Sequence, residues 1–256
     1  MLLLLPPSET KRDGGDEAPL DASRLRFPAL GASRVELVQA VVSLASDDAA
    51  TIAALKLGPK QHGEIARNRA LTTSATMPAI DRYTGVLYDA LDASTLTDDA
   101  RAFAAEHLVI QSALLGPIGG LDPVPAYRLS HDSRVPGIVL RRHWATDAAA
   151  ELAARSGLLL DLRSEGYTAL APLPVRRDAV FLRVLTEAAD GKRRALNHFN
   201  KQAKGRFTRA VLEAGVDFGT AEDLLEWGSD AGWRLEWHTA DCVRPASGPE
   251  ELALIV

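Results

Sequence analysis

The chain has 256 residues, of which 46% are hydrophobic and 25% charged, with a formal net charge of −5 at pH 7. That balance describes a globular protein with a sizeable core, and excludes both a disordered chain and one that coats nucleic acid with its whole surface. Cys242 is the single cysteine, so no internal disulfide and no multi-cysteine zinc or iron–sulfur site can form, and a reducing, cytoplasmic setting is expected.

The opening Met1-Leu2-Leu3-Leu4-Leu5 is too short for a membrane span or a signal-peptide core and reads as a buried strand ending at Pro6-Pro7. No later apolar run has the length of a membrane span, so no membrane partner is expected. Residues 11–31 mix Lys, Arg, Asp, Gly and Pro and predict a long mobile loop. Ser33 with Glu36 has the spacing of a capping box, and Val35, Val38, Val41, Val42 and Ala45 trace one helical stripe behind it. A second helix is predicted over 48–57, stopped by Gly58-Pro59. Thr97 followed by Asp98 and Asp99 marks a helix start.

Leu108 to Leu115 predicts a buried strand, and 116–125, with three Gly and three Pro, predicts a loop or tight hairpin. A helix over Ala145 to Arg155 closes at Gly157, and 158–162 is again a short buried strand. Val180 to Glu187 and Arg194 to Phe199 flank the hairpin signal Asp190-Gly191. A helix over Lys201 to Ala214, a last strand near Trp233–Trp237 and a C-terminal tail over 240–256 complete the chain. The fold class expected is α/β: a mixed sheet flanked by helices, in a single domain over 1–256.

Polar residues concentrate where the predicted strands end. Four segments carry them: PPSETK at 6–11, RYTGVLYDALD at 82–92, LLGPIGGLDPVPAYRL at 114–129, and LLLDLRSEGY at 158–167 followed by HFNKQAKG at 198–205. In order and wording these segments resemble the YaaA peroxide-stress family over nearly the whole chain. The resemblance implies a mixed-sheet domain with a positively charged cleft, a helix-hairpin-helix-like element, DNA binding, and protection from hydrogen peroxide by limiting free iron. The family's Arg-Pro pair in the hairpin is replaced here by Gly119-Gly120.

The residues themselves point to an anion site. Between Gly191 and Leu212 stand Lys192, Arg193, Arg194, Lys201, Lys204, Arg206 and Arg209 with no Asp or Glu, and Lys201 and Lys204 at i, i+3 are predicted to share one helical face near a positive helix end. His198 and Asn200 sit at the junction before that helix. Lys11 follows the first strand as an anion ligand or reactive amine, with Arg82, Tyr83, Tyr88 and Arg128 beside it, and the Gly-rich hairpin offers backbone N–H groups to phosphate. Asp161 with Lys11 or Arg163 would make an ion pair. Ser164 with His198 would make a nucleophile–base pair, but no GxSxG elbow surrounds Ser164.

Candidate catalytic groups are therefore Lys11, Asp161 and His198. The six histidines are scattered without an i, i+4 pair, so no metal or cofactor is expected. Two functions fit one shared cleft: binding of DNA or another polyanion, or general acid–base catalysis on an anionic small molecule such as a nucleotide, a phosphorylated metabolite or a carboxylate.

Overall fold

The computed structural model describes residues 1–188, 193–195, 199–238 and 249–256. Its strands, in chain order, are β1 (Leu2–Leu5), β2 (Met77–Pro78), β3 (Leu108–Ser112), β4 (Gly116–Gly119), β5 (Pro123–Val124), β6 (Leu159–Asp161), β7 (Ala179–Glu187), β8 (Arg193–Ala195), β9 (Arg234–Trp237) and β10 (Glu250–Ile255). An eight-stranded mixed sheet runs in the order β4-β3-β1-β6-β7-β10-β9, with β8 pairing the far end of β7, while β2 and β5 form a separate small ribbon.

From β3 to β10 the neighbours are parallel, and β4, β8 and β9 are antiparallel additions. Parallel strands are buried on both faces, which explains why β1 and β3 read as continuous rather than alternating apolar runs. All four leucines of β1 are at most 4% exposed. The order of succession reverses around β1: the chain passes from β1 to β3 on one side, then returns to β6 on the other. Such a reversal opens a crevice at the carboxyl ends of the strands.

Helices cover the sheet. Thr97 caps the helix Asp98–His107, its Oγ1 accepting from the Ala100 N–H at 3.2 Å. The helix Gly31–Leu44 starts before Ser33, so the predicted capping box is not used; Leu30 occupies the cap without a side-chain bond. Its buried stripe is Arg34, Leu37, Val38, Val41 and Leu44, and Val35 faces outward. Arg34 is fully buried, donating to the carbonyls of Leu115, Arg26 and Pro117 at 2.9, 2.7 and 2.8 Å. One side chain thus ties the first long helix to the β3–β4 turn. Burial lowers its pKa only to about 10, so it stays charged.

Three other expectations change. The segment 11–31 is anchored through bridges from Lys11 to Tyr83 and Glu17 to Thr76, and buries Leu25, Phe27 and Leu30. Residues 116–119 are a buried strand, β4, between the helices Asp98–His107 and Leu140–Ala153, because Pro and Gly are tolerated on an edge strand. The expected tail supplies β10, whose Leu252 to Ile255 are buried between β7 and β9. The β7–β8 pair has the antiparallel sense expected of a hairpin, and its turn Asp190-Gly191 lies outside the described residues.

The helix Phe199–Ala214 packs closely on the short helix Val86–Leu91, and a Cβ at Gly205 would overlap the Leu87 carbonyl. Gly205→Ala is expected to cost on the order of 1–3 kcal/mol in chemical denaturation. Arg34→Ala should cost about 3–5 kcal/mol, through lost charged hydrogen bonds and a cavity. An Arg34→Ala protein as stable as the parent would show that this strut is dispensable.

Candidate functional site

Proline ends β1 because it has no N–H to give the ladder, and the chain then turns through Ser8 and Glu9 to Lys11. The Lys11 side chain is buried, at 6% exposure. Its Nζ donates to the Ser8 carbonyl at 2.9 Å and lies 4.0 Å from the Tyr127 ring centroid and 5.2 Å from that of Tyr83. Tyr83 Oη and Tyr127 Oη are 2.7 Å apart, and Tyr127 Oη is 2.6 Å from Ser112 Oγ at the end of β3. Ser112 Oγ already accepts the N–H groups of Leu114 and Leu115. Its proton therefore goes to Tyr127, which in turn donates to Tyr83, leaving the Tyr83 hydroxyl as the donor at the end of the chain.

The Tyr88 ring lies tilted against that of Tyr83, with centroids 5.3 Å apart, and Tyr88 donates to the Pro6 carbonyl, while Tyr167 reaches Glu9 Oε1 at 3.4 Å. All four tyrosines of the chain thus gather around the segment that follows β1. Arg128 lies 3.8 Å from Glu9 Oε2, and buried Asn68 fixes its backbone through two 2.8 Å hydrogen bonds. Glu9 Oε2 is shielded and has no hydrogen-bond partner.

Burial lowers the Lys11 pKa to about 7, opposed by Glu9 and assisted by Arg128. Burial also pushes Tyr127 up to about 12 and holds Tyr83 and Tyr88 well above the ordinary phenol range. Near neutral pH, Lys11 is thus the group that exchanges a proton, and the tyrosines stay protonated donors.

A second polar cluster lies on the other face of the sheet. The register Val109↔Leu4↔Asp161↔Phe181 puts Gln111, Asp161 and Phe181 on one face, and Ser112 on the opposite one. Asp161 and Arg163 are both fully buried and paired, with Arg163 Nε and Nη2 at 2.8 and 2.7 Å from the two carboxylate oxygens. Arg163 also donates to Gln111 Oε1 and the Ala171 carbonyl. Lys204 Nζ reaches the Arg163 carbonyl at 3.4 Å and sits 5.2 Å from the Phe181 ring. Burial lowers its pKa to about 8, with Asp161 opposing the shift.

The candidate residues expected to share one cleft are therefore divided. Lys11, Tyr83 and Arg128 come together; Asp161 belongs with Arg163 and Lys204 across the sheet; Lys201 is exposed; His198 lies outside the described residues. Lys201 and Lys204 do not share a solvent face, because Lys204 is on the buried stripe of its helix. Arg82 is fully buried, donating to the carbonyls of Val124, Arg12 and Ala75, so it braces the loops. Ser164 is exposed and makes no capping bond, Asn200 is half-buried with its Oδ1 unpartnered, and Arg206 is exposed.

Elsewhere in the basic run, Arg209 pairs with Glu213 and Arg193 with Glu187 and Glu236. The Gly119 and Gly120 N–H groups are taken by Asp122 and the Leu108 carbonyl, so this hairpin presents neither of them to phosphate. Tyr127 and Ser112 were not singled out by the sequence. The usable signal was the scarcity of tyrosine, with each of the four lying in a segment rich in polar residues.

The model of the family described as peroxide stress protein YaaA matches residues 1–238. A UPF0246 protein of Corynebacterium glutamicum is 41% identical over 241 residues, covering 92% of this chain and 95% of that protein. UPF0246 proteins of Streptomyces coelicolor and Salinispora tropica are 38% and 31% identical, each over 92% of this chain and over 92% and 89% of their own lengths. With the family model spanning β1 to β9 and such relatives matching nearly end to end, the chain belongs to the peroxide stress protein YaaA family.

Proposed function

We propose that this peroxide-stress-family protein acts on an anionic small molecule at the Lys11 site, by general acid–base chemistry. The observation that carries the reading is a buried lysine held over two tyrosine rings with a carbonyl, not a carboxylate, as its close partner. A buried cation of this kind is stabilised by an incoming anion, and the same desolvation makes the amine a usable base near neutral pH. Lys11 takes or returns a proton, the Tyr83 hydroxyl donates to developing negative charge, and Arg128 steers the anion from the rim. Nucleotides, phosphorylated metabolites and carboxylates are the substrate classes this charge pattern suits.

The amine can be tested directly. Acylation of Lys11 by a lysine-selective reagent, followed by peptide mass spectrometry across pH, should show a midpoint near 7. A midpoint near 10 would remove the base from the mechanism. A panel of the three anion classes should include one that raises the Tm of the wild-type protein and not of Lys11→Met. No response to any class would sink the reading.

Stability supplies a second check. Between about pH 7 and the unfolded value of 10.5, the unfolded chain holds the proton that folded Lys11 has lost. Wild-type stability should therefore rise across that window through this group, and its full cost is present below pH 7. Lys11→Met is expected to be more stable than wild type at pH 6–7, on the order of a few kcal/mol, with the gap closing toward pH 10. Equal gaps at both ends would contradict the buried-cation assignment.

A polyanion reading is supported by a different observation, the exposure of Lys201 and Arg206 on the helix Phe199–Ala214. Each phosphate neutralised on duplex DNA contributes a log–log salt slope of roughly −0.9. Exchanging both residues for Gln should reduce the slope magnitude by about two. Binding that ignores salt, or a slope the double variant leaves unchanged, would take this helix off the contact surface.

A further inference from the structure

At the opposite edge of the sheet, where β1 begins, a cleft of about 650 Å³ is lined by Arg24, Arg26, Glu106, Asp122 and Arg155 among others. Against two of these arginines lies an unusual turn. Phe27 has φ 62° and ψ 67°, the left-handed region, which is a costly conformation for a bulky side chain and one that clusters at ligand sites. The turn buries the Phe27 ring, and two guanidiniums rest against that single ring, Arg26 with Cζ 5.4 Å and Arg155 with Cζ 5.0 Å from its centroid.

Each arginine leaves a donor unmet. Arg26 Nη1 and Arg155 Nε are shielded from water and have no hydrogen-bond partner. Buried donors without partners are rare because each carries a desolvation cost, and two on neighbouring cations compound it with repulsion. Burial and then Arg155 lower the Arg26 pKa, and Asp122 and Glu106 oppose the shift. Glu106, Asp122 and Asp217 also line the cleft, yet the nearby carboxylates leave these two donor atoms without a hydrogen bond. Asp122 Oδ2 accepts the backbone N–H groups of Arg26 and Gly119, both at 2.8 Å, and Glu151 pairs with Arg155 through Nη2 at 3.5 Å rather than through Nε. Glu106 acts on Arg26 through space.

Two guanidiniums against one ring, each from a residue lining the cleft and each with a shielded, unmet donor, share a physical remedy, an oxyanion seated between them. We propose that this cleft is a second anion site, taking a phosphate or similar compact oxyanion group of a small molecule between Arg26 and Arg155, with Arg24 at its mouth. Arginine suits the task because its planar fork offers paired donors to such a group. The site lies at the amino ends of the parallel strands, so it is separate from the Lys11 site and does not depend on it.

The test uses inorganic phosphate against sodium chloride at matched ionic strength, read by the Tm and by the ¹⁵N resonances of arginine Nε. Wild type and Lys11→Met should show the same saturable rise in Tm, with a shift of the Arg26 and Arg155 Nε signals. Arg26→Gln and Arg155→Gln should each weaken phosphate binding roughly tenfold, the loss of one charge-assisted contact. Should either variant fold poorly, the Nε shifts of the wild-type protein decide. No saturable effect, an effect retained in both arginine variants, or one lost only in Lys11→Met would overturn the proposal.

Discussion

The candidate site depends on a single constraint: β1 is hydrogen-bonded to parallel neighbours on both sides and buried on both faces. A strand so enclosed must be apolar throughout, and it can end only where its backbone stops offering donors, which Pro6 and Pro7 ensure. The residues that follow are delivered to the edge where β3 and β6 also terminate. Reversal of strand succession at β1 keeps that edge open, so Lys11 meets Tyr127, which Ser112 of one neighbour holds, and Glu9 meets Tyr167 from the segment after the other.

Two buried cations at this edge illustrate different physical outcomes. Arg163 is enclosed with Asp161, Gln111 and the Ala171 carbonyl, and its charge is matched and its fork largely satisfied. An ion pair of this kind organises the loops after β6. Lys11 has aromatic faces and a carbonyl instead, so desolvation is met only in part and its amine titrates near neutrality. What weakens the fold at Lys11 is the same desolvation on which the proposed chemistry rests, a stability–function conflict of the kind expected at ligand sites.

Much of the fold was legible. Three short apolar runs ending in polar clusters became β1, β3 and β6, Thr97 capped its helix, and the pair β7–β8 took its antiparallel sense. Misread elements share a cause. Gly116 to Gly119 read as a loop or tight hairpin because Gly and Pro disfavour strands; it is the outer arm of a hairpin with β3, where an edge position tolerates both. The run Glu250 to Ile255 looked like a tail because its burial comes from β7, some seventy residues earlier in the chain. At the site, Lys11, Tyr83 and Arg128 were recognised because each stands in a polar cluster at a strand end. Lys204 was misplaced, since i, i+3 spacing with Lys201 cannot tell which side of a helix faces the sheet.

Local pattern alone was enough to mark short buried strands, their proline and glycine stops, and a lysine placed just past the first of them. Those features depend on a few consecutive residues, and periodicity and backbone chemistry act over that range. Pairing register lay beyond it. Whether Asp161 joins Lys11 or opposes it is decided by a two-residue alternation across β3, β1 and β6, where one step moves a side chain through the sheet. Convergence of four tyrosines on the segment after β1, and of two arginines on one phenylalanine ring, likewise arises only when distant segments are packed together, because long-range burial and not local preference sets those contacts.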